Sequence, residues 1–203
     1  MSVEELPAAG SESLDGFEAA GSHQAIQTTV QDNLEQATHE AVLVPLDQDD
    51  LVATAYHEAG HAVVAISLGR TVERLSVIRN SLRLGVVHLG KGRNGRKQDY
   101  YENEAMILLG GLVSEERYTG HYNWGGAQQD LSALRRLSRV RVDTEKKAER
   151  LERRLLDKTA HHLEQLGHWE AVESIAAELV RLSAISGRAA RHHFEEAMRK
   201  AKM

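Results

Sequence analysis

The sequence predicts a mainly α-helical domain that carries a small β-hairpin or sheet and ends in a helical C-terminal layer. Three observations lead there. Apolar residues recur at helical spacing over 51–68 and again after residue 99. Two short β-branched runs, 72–78 and 84–89, stand together between those helices. The stretch from residue 142 onward is rich in charged helix formers and is broken only at Gly167 and at Ser186-Gly187.

Residues 1–22 are rich in Glu, Ser, Gly and Ala, have little to bury, and read as a disordered tail. Weak helical periodicity follows over 24–44, through Ile26, Val30, Leu34, Ala37 and Ala41. Pro45 and the run Asp47-Gln48-Asp49-Asp50 end it. Asp49 or Asp50 is placed to cap the helix of 51–68, because a carboxylate there accepts orphan backbone N–H groups. Gly69 stands where a glycine just past a helix end belongs. The strands of 72–78 and 84–89 are joined by Arg79-Asn80-Ser81-Leu82-Arg83, and 90–97 is a basic, glycine-rich loop.

Asp99 is placed to cap a second helix reaching to about residue 118. Two glycines inside it, Gly110 and Gly111, each cost about 1 kcal/mol relative to alanine and imply that another backbone packs close there. After a loop over 119–126, helix resumes near Ala127 with Leu131, Leu134, Leu137 and Val140 on one face. A charged helix over 142–166 follows, with apolar positions sparse enough that it packs on the core by one edge. Two further helices cover 169–182 and 188–202. The expected organisation is an acidic, partly disordered segment over 1–50 and a domain over 51–203. Its core spans 51–140 and its C-terminal helices 141–203.

Composition narrows the chemistry. There are no cysteines, so disulfides, thiolate metal sites and cysteine nucleophiles are excluded, and any metal must sit on His, Asp or Glu. No apolar run reaches the roughly 18–20 residues needed to span a bilayer, and the first residues lack the pattern of a secretory signal. A cytoplasmic protein without a membrane span is the expectation. Residues 1–50 hold 11 Asp or Glu and no Lys or Arg, whereas the remaining 153 carry 25 basic and 19 acidic groups. So mild a basic balance reads as a solvated helical surface, and no nucleic-acid partner is expected.

Residues 57–61 read His-Glu-Ala-Gly-His. On a helix, positions i and i+4 share a face, so two imidazoles so spaced can grip one Zn²⁺ at about 2.0–2.1 Å each. Glu58, one residue after the first ligand, is angled toward a zinc-activated water, from which it can take a proton as general base. The plain alternative is a pair of surface histidines. It conflicts with the apolar flanks Leu51, Val52, Tyr56, Val63, Val64 and Ile66, because buried imidazoles and a buried carboxylate are costly without partners. Catalytic zinc usually has a third protein ligand. Asp130, Glu115, Glu116, His121 and His88 are the downstream candidates.

Ala55-Tyr56-His57-Glu58-Ala59-Gly60-His61-Ala62-Val63 resembles the zinc motif of the FtsH-type ATP-dependent metalloproteases. The likeness continues in order. Leu108-Leu109-Gly110-Gly111 followed by Glu115-Glu116 resembles that family's Gly-Gly helix, and Gly126-Ala127-Gln128-Gln129-Asp130-Leu131 resembles its Gly-Ala-x-x-Asp segment. The stretch 77–89 resembles its substrate-side strand. The resemblance covers roughly 51–140 well and the C-terminal helices loosely, and it implies a zincin-like metallopeptidase fold. It also implies Zn²⁺ held by His57, His61 and Asp130, with Glu58 as general base and Glu115 beside the metal ligands, orienting an imidazole. The implied function is a zinc metalloendopeptidase acting on flexible or unfolded polypeptides. An extended substrate would add as a strand beside 84–89.

The departures shape that expectation. Leu112 stands where the family has Arg after Gly-Gly, and the proline usual before the strand's turn is missing. Residues 85–91 fit the opening of a phosphate loop, but Gly92 replaces the Mg²⁺-binding Ser or Thr, so the match is a coincidence. No ATPase module occurs within these 203 residues. The enzyme is therefore expected to cut unfolded segments alone or with a separate ATPase or unfoldase partner, and a homo-oligomer is allowed. His161, His162, His168, His192 and His193 give no clean pair on one helical face and read as solvated. Trp124 either walls the cleft or pins its loop. Two rival readings stay open: a catalytically idle zinc-binding module that regulates a protease or other partner, and a helical scaffold without metal. An intact Glu58 favours the enzyme.

Overall fold

The computed structural model describes residues 47–78, 85–90 and 97–203. Residues 1–46, 79–84 and 91–96 lie outside the described residues, and so do the expectations for them. Helix α1 (Gln48–Ser67) is capped by Asp47, whose carboxylate accepts the Gln48 N–H at 2.7 Å. Asp49 and Asp50, expected to cap, lie instead in the first turn, where their charges favour the positive end of the helix dipole. At the other end Gly69 has φ 79°, and the paired hydrogen bonds Arg70 N–H to Ala65 O and Gly69 N–H to Ile66 O close the helix.

The described strands are β1 (Val72–Ser76), β2 (Val86–Leu89) and β3 (Ala184–Ser186). They form one antiparallel sheet in the order β2-β1-β3. The expected hairpin is β1 with β2, and β2 begins at Val86. Strand β3 was not expected. It pairs Ile185 with Leu75, which is fully buried. Its last residue, Ser186, accepts the Ala189 N–H and caps the final helix.

Helix α2 (Lys97–Thr119) lies against α1, and α3 (Gln128–Arg141) and α4 (Glu145–Leu163) pack on it in turn. Helices α5 (His168–Leu182) and α6 (Gly187–Lys200) pack on α1 and on each other. Among the described residues the fold is thus mainly helical with a small sheet, as expected. The charged stretch starts three residues later than its periodicity implied. Val142 is extended, and Thr144 caps α4. That helix buries only Ala148, Leu155, Thr159 and Leu163 along one edge.

Two clusters hold the helices. One centres on α1, where Ala59, Ala62, Val63 and Val64 are fully buried against β1, α2, α5 and α6. A fully buried valine contributes about 1.5–3 kcal/mol, so the turns around residues 57–61 are anchored on both sides. The other joins α2, α3 and α4 through Leu109, Leu112, Ala127, Leu134 and Leu155. Leu112, 1% exposed, is therefore a core contact where the family pattern has a cation. The glycines explain how α1 and α2 meet. A Cβ on Gly110 would lie 2.8 Å from the Gly60 carbonyl, so the helices touch backbone to backbone at these positions.

Candidate metal centre

Helix α1 brings His57, Glu58 and His61 onto its buried side, each less than a tenth exposed. Helix α3 brings Asp130 in its first turn, and α2 brings Glu115. The Asp130 Oδ2 lies 3.2 Å from His57 Nε2 and 3.3 Å from His61 Nε2. The three donor atoms lie within 4.8 Å of one another, and they are the one His and carboxylate group among the described residues able to hold a metal. Tetrahedral zinc with bonds of about 2.0–2.2 Å needs donors roughly 3.3–3.5 Å apart, so the donor types suit the ion and the two distances to Asp130 lie close to that spacing.

The far side of each ring decides which nitrogen faces the donors. His57 Nδ1 is 2.8 Å from Glu115 Oε2, and His61 Nδ1 is 2.7 Å from the Ile107 carbonyl. Both partners are acceptors, so each Nδ1 carries a proton and donates it. Each Nε2 faces Asp130 and, on giving up its own proton, would offer its lone pair to a metal. Gly111 makes room. A Cβ there would lie 2.5 Å from both Nε2 atoms, so α2 presents bare backbone to the two rings.

Electrostatics agrees. Burial pushes the His57 imidazole down, but the Asp130 and Glu115 carboxylates on its two nitrogens outweigh that and lift it to about 10. His61 is raised as well, by Asp130 against the effect of burial. Burial would push Asp130 up, yet the two imidazoles hold its carboxyl well below the usual carboxylate range. The three side chains form one charge-coupled unit, in which the positive charge on the imidazoles offsets the Asp130 carboxylate.

The unit opens into a cleft of about 370 Å³. Val86, Val87 and Leu89 of β2 line it together with Gly125, Gly126 and Gln129. Glu58 lines the same cleft, with its side chain so close to Gly85 that a Cβ there would lie 2.8 Å from its Cγ.

The structure thus gathers His57, Glu58, His61, Glu115 and Asp130. It leaves out the other candidates for third ligand: His88 and His121 are exposed, and Glu116 is not in the group. Trp124 is 54% exposed, packs its ring on Tyr122 and does not line the cleft. The expectation of solvated histidines fails for His168, which is 5% exposed and donates from Nδ1 to the His162 carbonyl at 2.7 Å. Sequence reasoning missed the Ile107 carbonyl, the fit of Gly111 against the rings, and Asn123, whose amide donates to Glu115 Oε1 at 2.8 Å. No helix among the described residues is long and apolar enough to cross a membrane.

Comparison with known proteins places the chain in a family. The model of Peptidase family M41 matches residues 45–165. The ATP-dependent zinc metalloprotease FtsH of Caulobacter vibrioides (strain NA1000 / CB15N) is 33% identical over 102 residues, covering 48% of this chain and 16% of that protein. The protein of the same name from Protochlamydia amoebophila (strain UWE25) is 32% identical over 103 residues, covering 48% and 11%. That of Pelobacter propionicus (strain DSM 2379 / NBRC 103807 / OttBd1) is 30% identical over 115 residues, covering 55% and 18%. The chain therefore spans less than a fifth of the length of these relatives.

Proposed function

Because the chain belongs to peptidase family M41, we propose that it is a zinc-dependent endopeptidase that hydrolyses peptide bonds in flexible or unfolded polypeptides. One observation carries the reading. His57 Nε2, His61 Nε2 and Asp130 Oδ2 converge at zinc-ligand spacing in a cleft that Glu58 also lines. Bound there, zinc would lower the pKa of a water from about 15.7 to about 7 and polarise the scissile carbonyl.

The residues divide the remaining work. Glu58 takes the proton from the attacking water and returns it to the leaving amine. Glu115 and the Ile107 carbonyl hold the imidazole tautomers. The β2 edge receives the substrate backbone as an added strand, so that specificity is broad and set by a few side-chain pockets. Folded substrates need a separate ATPase or unfoldase to present them, and the enzyme works in the cytoplasm. The relatives named above are called ATP-dependent, and their lengths leave room for such a module outside the matched region.

Cleavage of casein by the zinc-loaded protein and by Glu58→Gln tests the proposal. Wild type should cut, and the variant should retain zinc yet lose about 10²–10⁴-fold in rate. If both hold zinc and neither cuts, even with an unfoldase supplied, the chain is a binding module.

A further inference from the structure

Asn123 sits in the loop between α2 and α3, and both ends of its amide are engaged. Its Nδ2 donates to Glu115 Oε1 at 2.8 Å, while its Oδ1 accepts the Gly126 N–H at 2.9 Å. Only one orientation of the amide serves a carboxylate on one side and an N–H on the other, so the network fixes it. Its backbone carbonyl accepts the Ala127 N–H at 3.1 Å, which starts the turn leading into α3. Gly126 has no space for a side chain: a Cβ would lie 2.5 Å from Asn123 Nδ2.

The two contacts reach different halves of the metal centre. Glu115 holds the His57 ring through its other oxygen, Oε2. Gly126 lies four residues before Asp130 and begins the segment that carries it. Resting on the zinc-site reading above, we propose that Asn123 is a positioning residue whose amide ties Glu115 to the Gly126 turn, so that the His57 ring and the Asp130 carboxylate are held in one register. It touches neither metal nor substrate; it acts through the two residues it bridges.

An exchange of donor and acceptor tests this. Asn123→Asp places a carboxylate against Glu115 and should break the tie. Glu115→Gln alone leaves one oxygen for two donors, the Asn123 amide and the His57 Nδ1–H, and should break the link between them too. In the double variant the amide now at position 115 can donate to the carboxylate now at position 123 and still accept from His57, with the net charge of the wild type. The first readout needs no zinc: the His57 Nδ1 proton resonance of the metal-free protein, observed by NMR. It should be protected from exchange in wild type, lost in each single variant and recovered in the pair. The second is zinc affinity by chelator competition, expected to fall about 10–100-fold in each single variant and to return to within about threefold in the pair. Circular dichroism confirms that each variant folds. An unchanged resonance in Asn123→Asp, or a pair no better than the singles, overturns the proposal. Zinc bound without turnover would sink the peptidase reading while leaving this one standing, and a chain that binds no zinc would still test it through the proton resonance.

Discussion

Replacing Gly111 by alanine puts a methyl group where the two ligand nitrogens are. The new Cβ would lie 2.5 Å from both His57 Nε2 and His61 Nε2, nearly 1 Å inside ordinary contact. A flexible side chain could swing away at small cost, but these rings are pinned behind, at Glu115 and at the Ile107 carbonyl. Turning each ring gives up a buried hydrogen bond worth about 1–3 kcal/mol. Alanine returns about 1 kcal/mol of helix propensity. The metal-free protein should therefore lose about 1–5 kcal/mol in urea unfolding. The zinc site should suffer more, because each disturbed support of a ligand costs about 10–100-fold in affinity, and two rings move. A fall in zinc affinity of about 10²–10⁴-fold is expected by chelator competition. Gly125→Ala is the control: it also fills a glycine of the cleft, but its Cβ would meet nothing closer than 3.7 Å, so zinc binding should hold. Wild-type zinc affinity in Gly111→Ala would refute the claim that these two nitrogens face the ion.

Two other perturbations probe neighbouring parts. Gly85→Ala would bring a Cβ to 2.8 Å from Glu58 Cγ and displace the carboxylate, so kcat on casein should fall about 10–100-fold while zinc affinity stays within about twofold; an unchanged kcat would mean that Glu58 does not act from this position. His162 is half-buried; burial first, and then the neighbouring His168, depress its pKa from 6.5 to about 4. The unfolded chain therefore takes up a proton near pH 6.5 and the folded chain only near 4, so this stability is full above pH 6.5 and drains as pH falls through that window. Discounted for solvent, the loss is about 1 kcal/mol, and His162→Gln should flatten the acid limb of stability against pH; an unaltered limb would sink the assignment.

What could be read from the sequence was what a helix repeats at short range. The i, i+4 imidazoles, the buried flanks of α1 and the glycine pair of α2 follow from spacing along one element. The structure brought these together with Asp130, to which the family likeness pointed. Strand β3 escaped because Ala184, Ile185 and Ser186 are too few to show alternation. They become a strand only by docking on β1, more than a hundred residues earlier. The cap of α1 was misplaced because Asp47, Asp49 and Asp50 have the same chemistry within one turn, and only the helix's starting point distinguishes them. His168 read as solvated because its acceptor, the His162 carbonyl, is backbone. The Ile107 carbonyl that holds His61 was invisible for the same reason. Asn123 lies in a glycine-flanked loop with no periodicity, and its role appears only once α2 and α3 are side by side.

The most direct test of the central claim is anomalous X-ray diffraction at the zinc edge from crystals of the zinc-loaded protein. One peak is expected, about 2.0–2.2 Å from His57 Nε2, His61 Nε2 and an Asp130 carboxylate oxygen. A peak elsewhere, for example beside His161 or His192, or no peak at this centre, would contradict it.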